Sequence, residues 1–531
     1  MTIKPDLDVV IVGAGFAGLF MLHRMRERGF SALIIEAGDG VGGTWYWNRY
    51  PGARCDVEST EYSYQFSEEL QQEWDWSERY ATQPELLRYV NHVADRFDLR
   101  KDIRFETRVT AAHYDQENTL WTVKTDKGDS LLSRFCVMAT GCLSSANLPD
   151  IPGRDDFQGE VYHTGHWPHE AVDFAGKTVG VIGTGSSAIQ SIPLIAEQAG
   201  YLHVFQRTPS YAVPAHNQPL YDAYRKAVKA DYPARREAAH QTRSGMLFPV
   251  NPDNALEVSE KERHEIYEER WANGGLAFLG AFNDLLTDKQ ANDTAADYIR
   301  TKISDIVEDP DVADRLTPST VVGCKRLCVD TGYYATYNRD NVDLVDVSEG
   351  GVERITEKGV VAGGKEFPLD MLVFATGFDA MTGALLKMDI RGRAGRSLGH
   401  KWSEGPKTYL GLTIAEFPNL FVVTGPGSPS VLANMMPSIE QHVNWISDCL
   451  TFMREKGCQA IEASEEAEAE WVFHVNDIAS RTLFPTCNSW YLGANIPGKP
   501  RVFMPYLGYP AYVQRCNQVA ADGYDGFELT F

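Results

Sequence analysis

The chain has 531 residues, too many for one hydrophobic core, so two or three domains are expected. Its 43% hydrophobic and 23% charged residues are ordinary for a globular protein, and a formal charge of −23 argues against nucleic acid or an anionic membrane as partner. No apolar run is long enough to span a bilayer, the opening MTIKPDLD lacks the apolar core of a secretion signal, and the nine cysteines are scattered, with no CxxC and no zinc-ligand cluster. A cytoplasmic protein without metal or disulfide-reductase chemistry is expected.

The first predicted unit, Val9–Glu36, reads VVIVGAGFAGLFMLHRMRERGFSALIIE. A short apolar strand ends at Val12, and Gly13, Gly15 and Gly18 follow at GxGxxG spacing. An amphipathic run then leads to a second apolar run, Ala32–Ile35, closed by Glu36. These are the residue types that a dinucleotide needs. Gly13 permits the tight strand-to-helix turn, Gly15 lets backbone approach a pyrophosphate, and Gly18 lets helix and strand pack closely. The helix N-terminus offers free N–H groups and positive dipole to the phosphates. Glu36, about 20 residues past the glycines, is placed to take a ribose 2′-hydroxyl and to repel a 2′-phosphate, so the unit suits FAD or NAD rather than NADP.

The next stretch, AGDGVGGTWYWNRYPGARCDVES, reads as a loop by composition. Its aromatics Trp45, Tyr46 and Trp47 suit either a flat cofactor or ordinary core. Asp56 fits a turn or helix cap as well as it fits a functional carboxylate. Helical period predicts a helix over Pro84–Phe97. Leu120–Lys124 and Leu131–Phe135 predict a small hairpin, followed by a buried strand, FCVM, and the small residues Ala139-Thr140-Gly141. In Phe157–Trp167, FQGEVYHTGHW, His163 and His166 lie three apart. Without a third ligand they predict no metal site, and a structural hydrogen bond is favoured over a catalytic base for His163.

Lys177–Arg207 repeats the opening design, with Gly183, Gly185 and Ala188 in the GxGxxA variant. Where the first unit has Glu36, this one has Gln206-Arg207-Thr208. A cation and a hydroxyl there suit a 2′-phosphate, so the second nucleotide is expected to be NADP(H). FAD with NADPH implies hydride transfer from nicotinamide to flavin.

From Pro214 the composition turns charged and helical. Lys325-Arg326 then stands as a basic pair in an apolar, aromatic setting. Met371–Phe374 predicts another buried strand, and Ala375-Thr376-Gly377 after it echoes residues 139–141, so each triplet is read as a handover between nucleotide domains. The expected fold is α/β: two interleaved, discontinuous Rossmann-like domains with a helical insertion. The FAD-binding domain takes residues 1–143 and 380–531, the NADP-binding domain 144–212 and 325–379, and the insertion 213–324. Leu420–Val423 predicts a strand. The loop Gly425–Asn434 leads to a helix starting near Pro437, whose N-terminus could face the electron-accepting end of a flavin. Asn488–Pro500 reads as a long loop with an exposed-looking Trp490, either a lid or a packed surface turn.

Two longer patterns add a family likeness. FxGxxxHxxxW(P/D) is met at Phe157, Gly159, His163, Trp167 and Pro168, and (A/G)GxWxxxx(F/Y)P(G/M)xxxD at Gly42, Gly43, Trp45, Tyr50, Pro51, Gly52 and Asp56. With KRLCVDTGYY, ATGFDA and SWYLGANIPGKPRVFM, the chain resembles the type I Baeyer–Villiger monooxygenases over nearly its whole length, in the phenylacetone and steroid monooxygenase branch. The resemblance implies that NADPH reduces FAD and that reduced flavin takes O2 to give a C4a-peroxyflavin. This attacks a hydrophobic ketone, and the Criegee adduct rearranges to an ester or lactone. It assigns Arg326 to stabilising the negative charge, with Asp56 orienting that arginine. It places Gly13, Gly15, Gly18, Glu36, Thr44, Trp45, Asp56, Tyr62, Val109 and Met435 at FAD. It places Arg54, Gly183, Thr184, Gly185, Ser186, Ser187, Ala188, Arg207, Thr208, Lys325, Arg326 and Trp490 at NADP(H), and Leu432 and Met435 at the substrate pocket. A monomer or weak homo-oligomer is expected. Two other readings stay open: a flavin monooxygenase oxidising sulfides or amines on the same scaffold, and a redox-sensing flavoprotein without turnover of an organic substrate.

Overall fold

The computed structural model describes residues 4–531, so the first three residues of the stretch read for a secretion signal lie outside the described residues. Two sheets organise the fold. The first runs in the order Asp389–Arg391, Val109–Asp115, Leu120–Thr125, Ser130–Met138, Leu7–Val12, Ala32–Ile35 and Ile103–Arg104, with Leu420–Val422 also paired to Ser130–Met138. Leu7–Val12 is parallel to both its neighbours. Val9, Val10 and Ile11 are fully buried, which is why this strand reads as a continuous apolar run and not as an alternation.

The expected hairpin strand Leu131–Phe135 and the separate strand FCVM are one strand, Ser130–Met138. Nothing between Phe135 and Cys136 can break it, since the segment has neither Gly nor Pro. Its outer half pairs antiparallel with Leu120–Thr125, and its inner half lies between Leu7–Val12 and Leu420–Val422.

The second sheet is wholly parallel, in the order Val342–Asp346, Tyr201–Gln206, Thr178–Ile182, Met371–Phe374, Glu160–His163. The first sheet therefore takes strands from residues 7–138 and again from 389–422, and the second from 160–206 and again from 342–374. The two connections between the sheets lie side by side. Ala146 bridges Phe378, Asn147 N–H donates to Gly377 O at 2.9 Å, Asp379 N–H to Ser145 O at 2.8 Å, and Met381 N–H to Cys142 O at 2.7 Å.

Between the two halves of the second sheet lie the helices Asp222–His240, Glu260–Asn273, Lys289–Ile306 and Pro310–Leu316. Ser259, Asp288 and Asp309 cap the last three with side-chain oxygens. Arg236 anchors this layer to the first unit, donating to Ser63 Oγ at 2.7 Å and Glu61 O at 3.2 Å.

Three further expectations change. The aromatic run is not all loop, because Thr44–Trp47 forms one helical turn with Trp45 and Tyr46 buried. The helix expected near Pro437 starts at Met435, since the Asn434 side chain caps it by accepting from Met436 N–H at 3.1 Å. Pro437 then sits in the first turn, where its missing N–H leaves no helical bond unmade. Trp490 is half-buried, in a short 3₁₀ turn, Trp490–Leu492, and packs on Tyr491 with ring centroids 4.2 Å apart. Among the described residues no helix is long and apolar enough to cross a membrane, and no His, Cys, Asp and Glu cluster could hold a metal.

Candidate active site

Both glycine motifs are built as dinucleotide turns. Gly13 has φ +104°, and a Cβ there would lie 2.7 Å from Ala139 O; Gly183 has φ +115°, with Ala375 O at 2.4 Å. This explains the repeated Ala-Thr-Gly, whose alanine carbonyl abuts the first glycine of the unit beside it. Gly18 has no room for a methyl group, which would meet Gly13 O at 1.9 Å, whereas Ala188 occupies the matching place in the second unit. The helices that follow, Phe16–Glu27 and Ser186–Gln198, have Gly15 and Gly185 as N-caps and no side-chain cap. Their first N–H groups are thus left for an anionic ligand, while the last three helices of the insertion and the helix after Asn434 use theirs on side chains.

Glu36 ends the second strand in a buried position. Oε2 accepts Ala14 N–H at 2.6 Å and Oε1 accepts Gly38 N–H at 2.7 Å. Burial pushes its pKa up, against these backbone bonds. The two bonds orient the carboxylate and leave lone pairs for a ribose hydroxyl. Thr44 opens the helical turn packed beside Gly15, where Gly43 and Gly15 backbones meet with no space for a side chain. Trp45 Nε1–H donates to the Tyr62 hydroxyl at 3.4 Å, and the two rings meet edge to face. Val109 is buried at the start of its strand.

On the second unit, Arg207 stands exposed just past Tyr201–Gln206, and Thr208 O accepts the Thr184 hydroxyl at 2.9 Å. Burial lowers the pKa of Lys325, and the charge of Arg207 lowers it further. A pair of like charges of this kind is the setting that a doubly charged anion requires. Ser186 and Ser187 hydroxyls lie 3.3 Å from Cys328 Sγ and 3.1 Å from Thr164 Oγ1.

Arg326 joins three distant segments. Its Nε donates to Asp56 Oδ2 at 2.8 Å and Nη2 to Asp56 Oδ1 at 2.9 Å, a bidentate fork, while Nη1 donates to Val431 O at 2.9 Å. Burial alone would lower the guanidinium pKa, but the Asp56 carboxylate outweighs it and the net shift is upward. Of the five guanidinium N–H donors three are committed and two are left for an incoming oxyanion. Next to Val431, residues 417–440 are buried throughout except Leu432 and Met435, each partly open. Tyr491 is buried beside Arg326, so the Trp490 turn also reaches this centre.

The two sequence patterns acquire reasons. Tyr50 donates its hydroxyl to Gln190 Oε1 at 2.8 Å, Gln190 Nε2 donates to Arg54 O at 3.1 Å, and a Cβ on Gly52 would lie 2.3 Å from Gln190 O. The Tyr-Pro-Gly segment thus clamps the helix of the other unit and presents Asp56 to Arg326. Arg54 also lies 3.7 Å from Glu78. In the second pattern, Gly159 leaves no room beside Asp370 O, Phe157 packs in the core of the second sheet, and Trp167 stacks on Tyr162 at 5.2 Å. His163 Nδ1 accepts Gly165 N–H at 2.9 Å, so Nε2 carries the proton and faces Asn147 O at 3.2 Å. Burial lowers its pKa. It sits on the paired connections between the sheets, as Thr376 also donates to Asn147 O, at 2.5 Å.

Sequence reasoning missed Gln190, Tyr491 and the Val431 carbonyl. Gln190 left one signal, a polar residue in an apolar helix; the carbonyl left none.

A family description of pyridine nucleotide-disulphide oxidoreductases matches residues 10–237. The chain is 43% identical, over 98% of its length and 96% of the relative's, to a Baeyer-Villiger monooxygenase of Pseudooceanicola batsensis. It is 41% identical, over 99% of its length and 97% of the relative's, to a phenazine N-monooxygenase of Lysobacter antibioticus. A solved structure of an oxidized steroid monooxygenase bound to NADP superposes with a TM-score of 0.94 at 54% identity, covering 99% of each chain.

Proposed function

The chain belongs to the Baeyer–Villiger monooxygenases, and from that premise we propose how its own residues serve the oxidation of a hydrophobic ketone to an ester or lactone. The enzyme is an FAD-containing, NADPH-dependent monooxygenase. Bound FAD, reduced by NADPH, supplies the activated oxygen.

The Arg326–Asp56 fork carries the reading. Arg326 keeps its charge at every working pH, and Asp56 fixes the plane of the guanidinium. Its two uncommitted N–H groups hold the negative charge that develops on the ketone oxygen, in a buried setting where such donors count most. Leu432 and Met435 offer an apolar wall next to the arginine-bound carbonyl of Val431. Gly13, Gly15, Gly18, Glu36, Thr44, Trp45, Tyr62 and Val109 hold FAD. The Gly183–Ala188 turn and Arg54 hold NADP(H), with Arg207, Thr208 and Lys325 on its 2′-phosphate. The Trp490 turn covers this cofactor and excludes water. Strand membership supports an FAD-binding domain of residues 1–143 and 380–531 and an NADP-binding domain of 144–212 and 325–379. The nine free cysteines support a reducing, cytoplasmic setting.

The test offers FAD-loaded enzyme, NADPH and O2 a panel of linear, aryl, cyclic and steroid ketones with one aryl sulfide, and identifies products by mass spectrometry. Esters or lactones one oxygen heavier than the ketone are expected, and their rank order defines the pocket. The N-monooxygenase relative supports heteroatom oxidation as a second activity. Sulfoxide as the sole product would make that the principal one.

A further inference from the structure

Beside the apolar wall lies a buried knot of hydrogen bonds that the mechanism above does not use. Asn434 stands between Leu432 and Met435, the two partly open residues of that wall, and is itself buried. Its backbone and both ends of its side chain are engaged. The N–H donates to Ser244 O at 2.8 Å, and the carbonyl accepts the Ser438 hydroxyl at 3.0 Å. Oδ1 caps the helix Met435–Lys456 by accepting from Met436 N–H, and Nδ2 donates to Glu61 O at 2.9 Å. The same Glu61 carbonyl accepts from Arg236 Nη1 at 3.2 Å. Arg236 is buried on the insertion helix Asp222–His240, and its other two hydrogen bonds go to Ser63 Oγ at 2.7 Å and Gln71 Oε1 at 3.3 Å. The Glu61 carboxylate accepts Leu247 N–H at 2.7 Å. Ser244 and Leu247 belong to the loop that leaves the Arg236 helix. The insertion thus grips Asn434 twice, directly by the Ser244 carbonyl and from Arg236 through Glu61.

We propose that Arg236 and Asn434, meeting on the Glu61 carbonyl, are positioning residues that fix the Leu432–Met435 wall and so decide which way round a ketone lies at Arg326. This rests on the reading of Leu432 and Met435 as the ketone wall. Neither positioning residue touches substrate. Leucine and methionine side chains are adaptable, so the wall has a single shape only if the backbone between them is held. Both lone pairs of the Glu61 carbonyl are spent on that task, in a buried setting where no water replaces a lost partner. The ester formed depends on which carbon–carbon bond of the ketone is aligned with the oxygen being delivered, and therefore on how the ketone is held.

The probe is ethyl pentyl ketone. Its two alkyl groups differ little electronically, so orientation decides between pentyl propanoate and ethyl hexanoate, which gas chromatography separates. Asn434→Ser keeps a helix-capping oxygen and removes Nδ2. Arg236→Met keeps a long apolar stem and removes the donors. In both FAD-loaded variants the ester ratio should shift about threefold, in the same direction, because both lose a bond to one carbonyl. KM for the ketone should rise, while KM for NADPH and anaerobic flavin reduction stay as in the unmutated enzyme; a general loss of fold would move all of these together. Hydrogen exchange read by mass spectrometry should quicken in peptides spanning 430–446 and not in those of the strand Ser130–Met138. Faster exchange with an unchanged ester ratio would reduce the knot to fold stability and overturn the proposal, and unchanged exchange would overturn it too. If Arg236→Met does not fold, Asn434→Ser decides. An unmutated enzyme that makes neither ester would count against the ketone reading itself, and the exchange result alone would then decide whether Arg236 and Asn434 fix this segment.

Discussion

At the scale of single residues, the chemistry gathers on charges whose partners are far away in sequence. Arg326→Ala removes the two free donors together with the charge. Ester formation should fall about a hundredfold or more, while anaerobic reduction of the flavin by NADPH proceeds nearly unchanged, as stopped-flow absorbance would record. Esters at the unmutated rate would take Arg326 out of the mechanism. Arg207→Ala tests the other pole. A charge-assisted contact of this kind is worth about 1.5–3 kcal/mol, so KM for NADPH should rise about tenfold to a hundredfold with KM for NADH left alone. Equal effects on both would contradict the 2′-phosphate assignment. Neither role is visible in the residue type. Asp56 could equally have been a turn residue, and what distinguishes it is the guanidinium that the second unit brings within 2.8 Å.

The elements show how packing redirects local preference. The aromatic run after Gly43 becomes a helical turn because Trp45 finds Tyr62 and burial. The helix Met435–Lys456 carries two fully packed titratable groups with opposite dependences on pH. His442 accepts Thr424 N–H on Nδ1 at 3.0 Å and meets the Tyr512 hydroxyl at Nε2, and burial pushes its pKa down to about 3 from 6.5. The unfolded chain then binds the proton first, so stability contributed by neutral His442 is lost as pH falls from 6.5 towards 3. Glu440, raised by burial to about 7 from 4.5, contributes below 4.5 and loses that contribution as pH rises through 7. The two oppose each other in the unmutated protein. His442→Gln should therefore be less stable at neutral pH, and its deficit should shrink by about 1.4 kcal/mol per unit as pH falls below 6.5. Denaturant unfolding of both proteins at several pH values gives the difference; a deficit independent of pH would mean that His442 has the same pKa folded as unfolded.

For the whole molecule, the decisive feature is the pairing of the two connections, with His163 and Thr376 on Asn147 O. The tail segment docks on the same place. Asn495 donates to Phe378 O at 2.7 Å, and Lys499 reaches Asp379 Oδ1 at 2.6 Å and Ala380 O at 2.8 Å. This attachment holds the Trp490 turn against both units. Lys499→Ala should loosen it, and the share of NADPH oxidised to hydrogen peroxide in place of ester should increase, as a peroxidase-coupled assay against product yield would measure. An unchanged share would separate the turn from the protection of the oxygenating site.

The sequence alone determined both dinucleotide turns and the family likeness. Each turn is encoded within about thirty consecutive residues, by glycine spacing and strand length. The burial of Trp490 and the setting of the Asn434 cap, whose Nδ2 donates to Glu61 O at 2.9 Å, were decided by neighbours from other segments. So was the centre itself. Asp56, Arg326 and Val431 O belong to three stretches of chain that meet only when the two sheets are packed together, and no local period or spacing encodes that meeting.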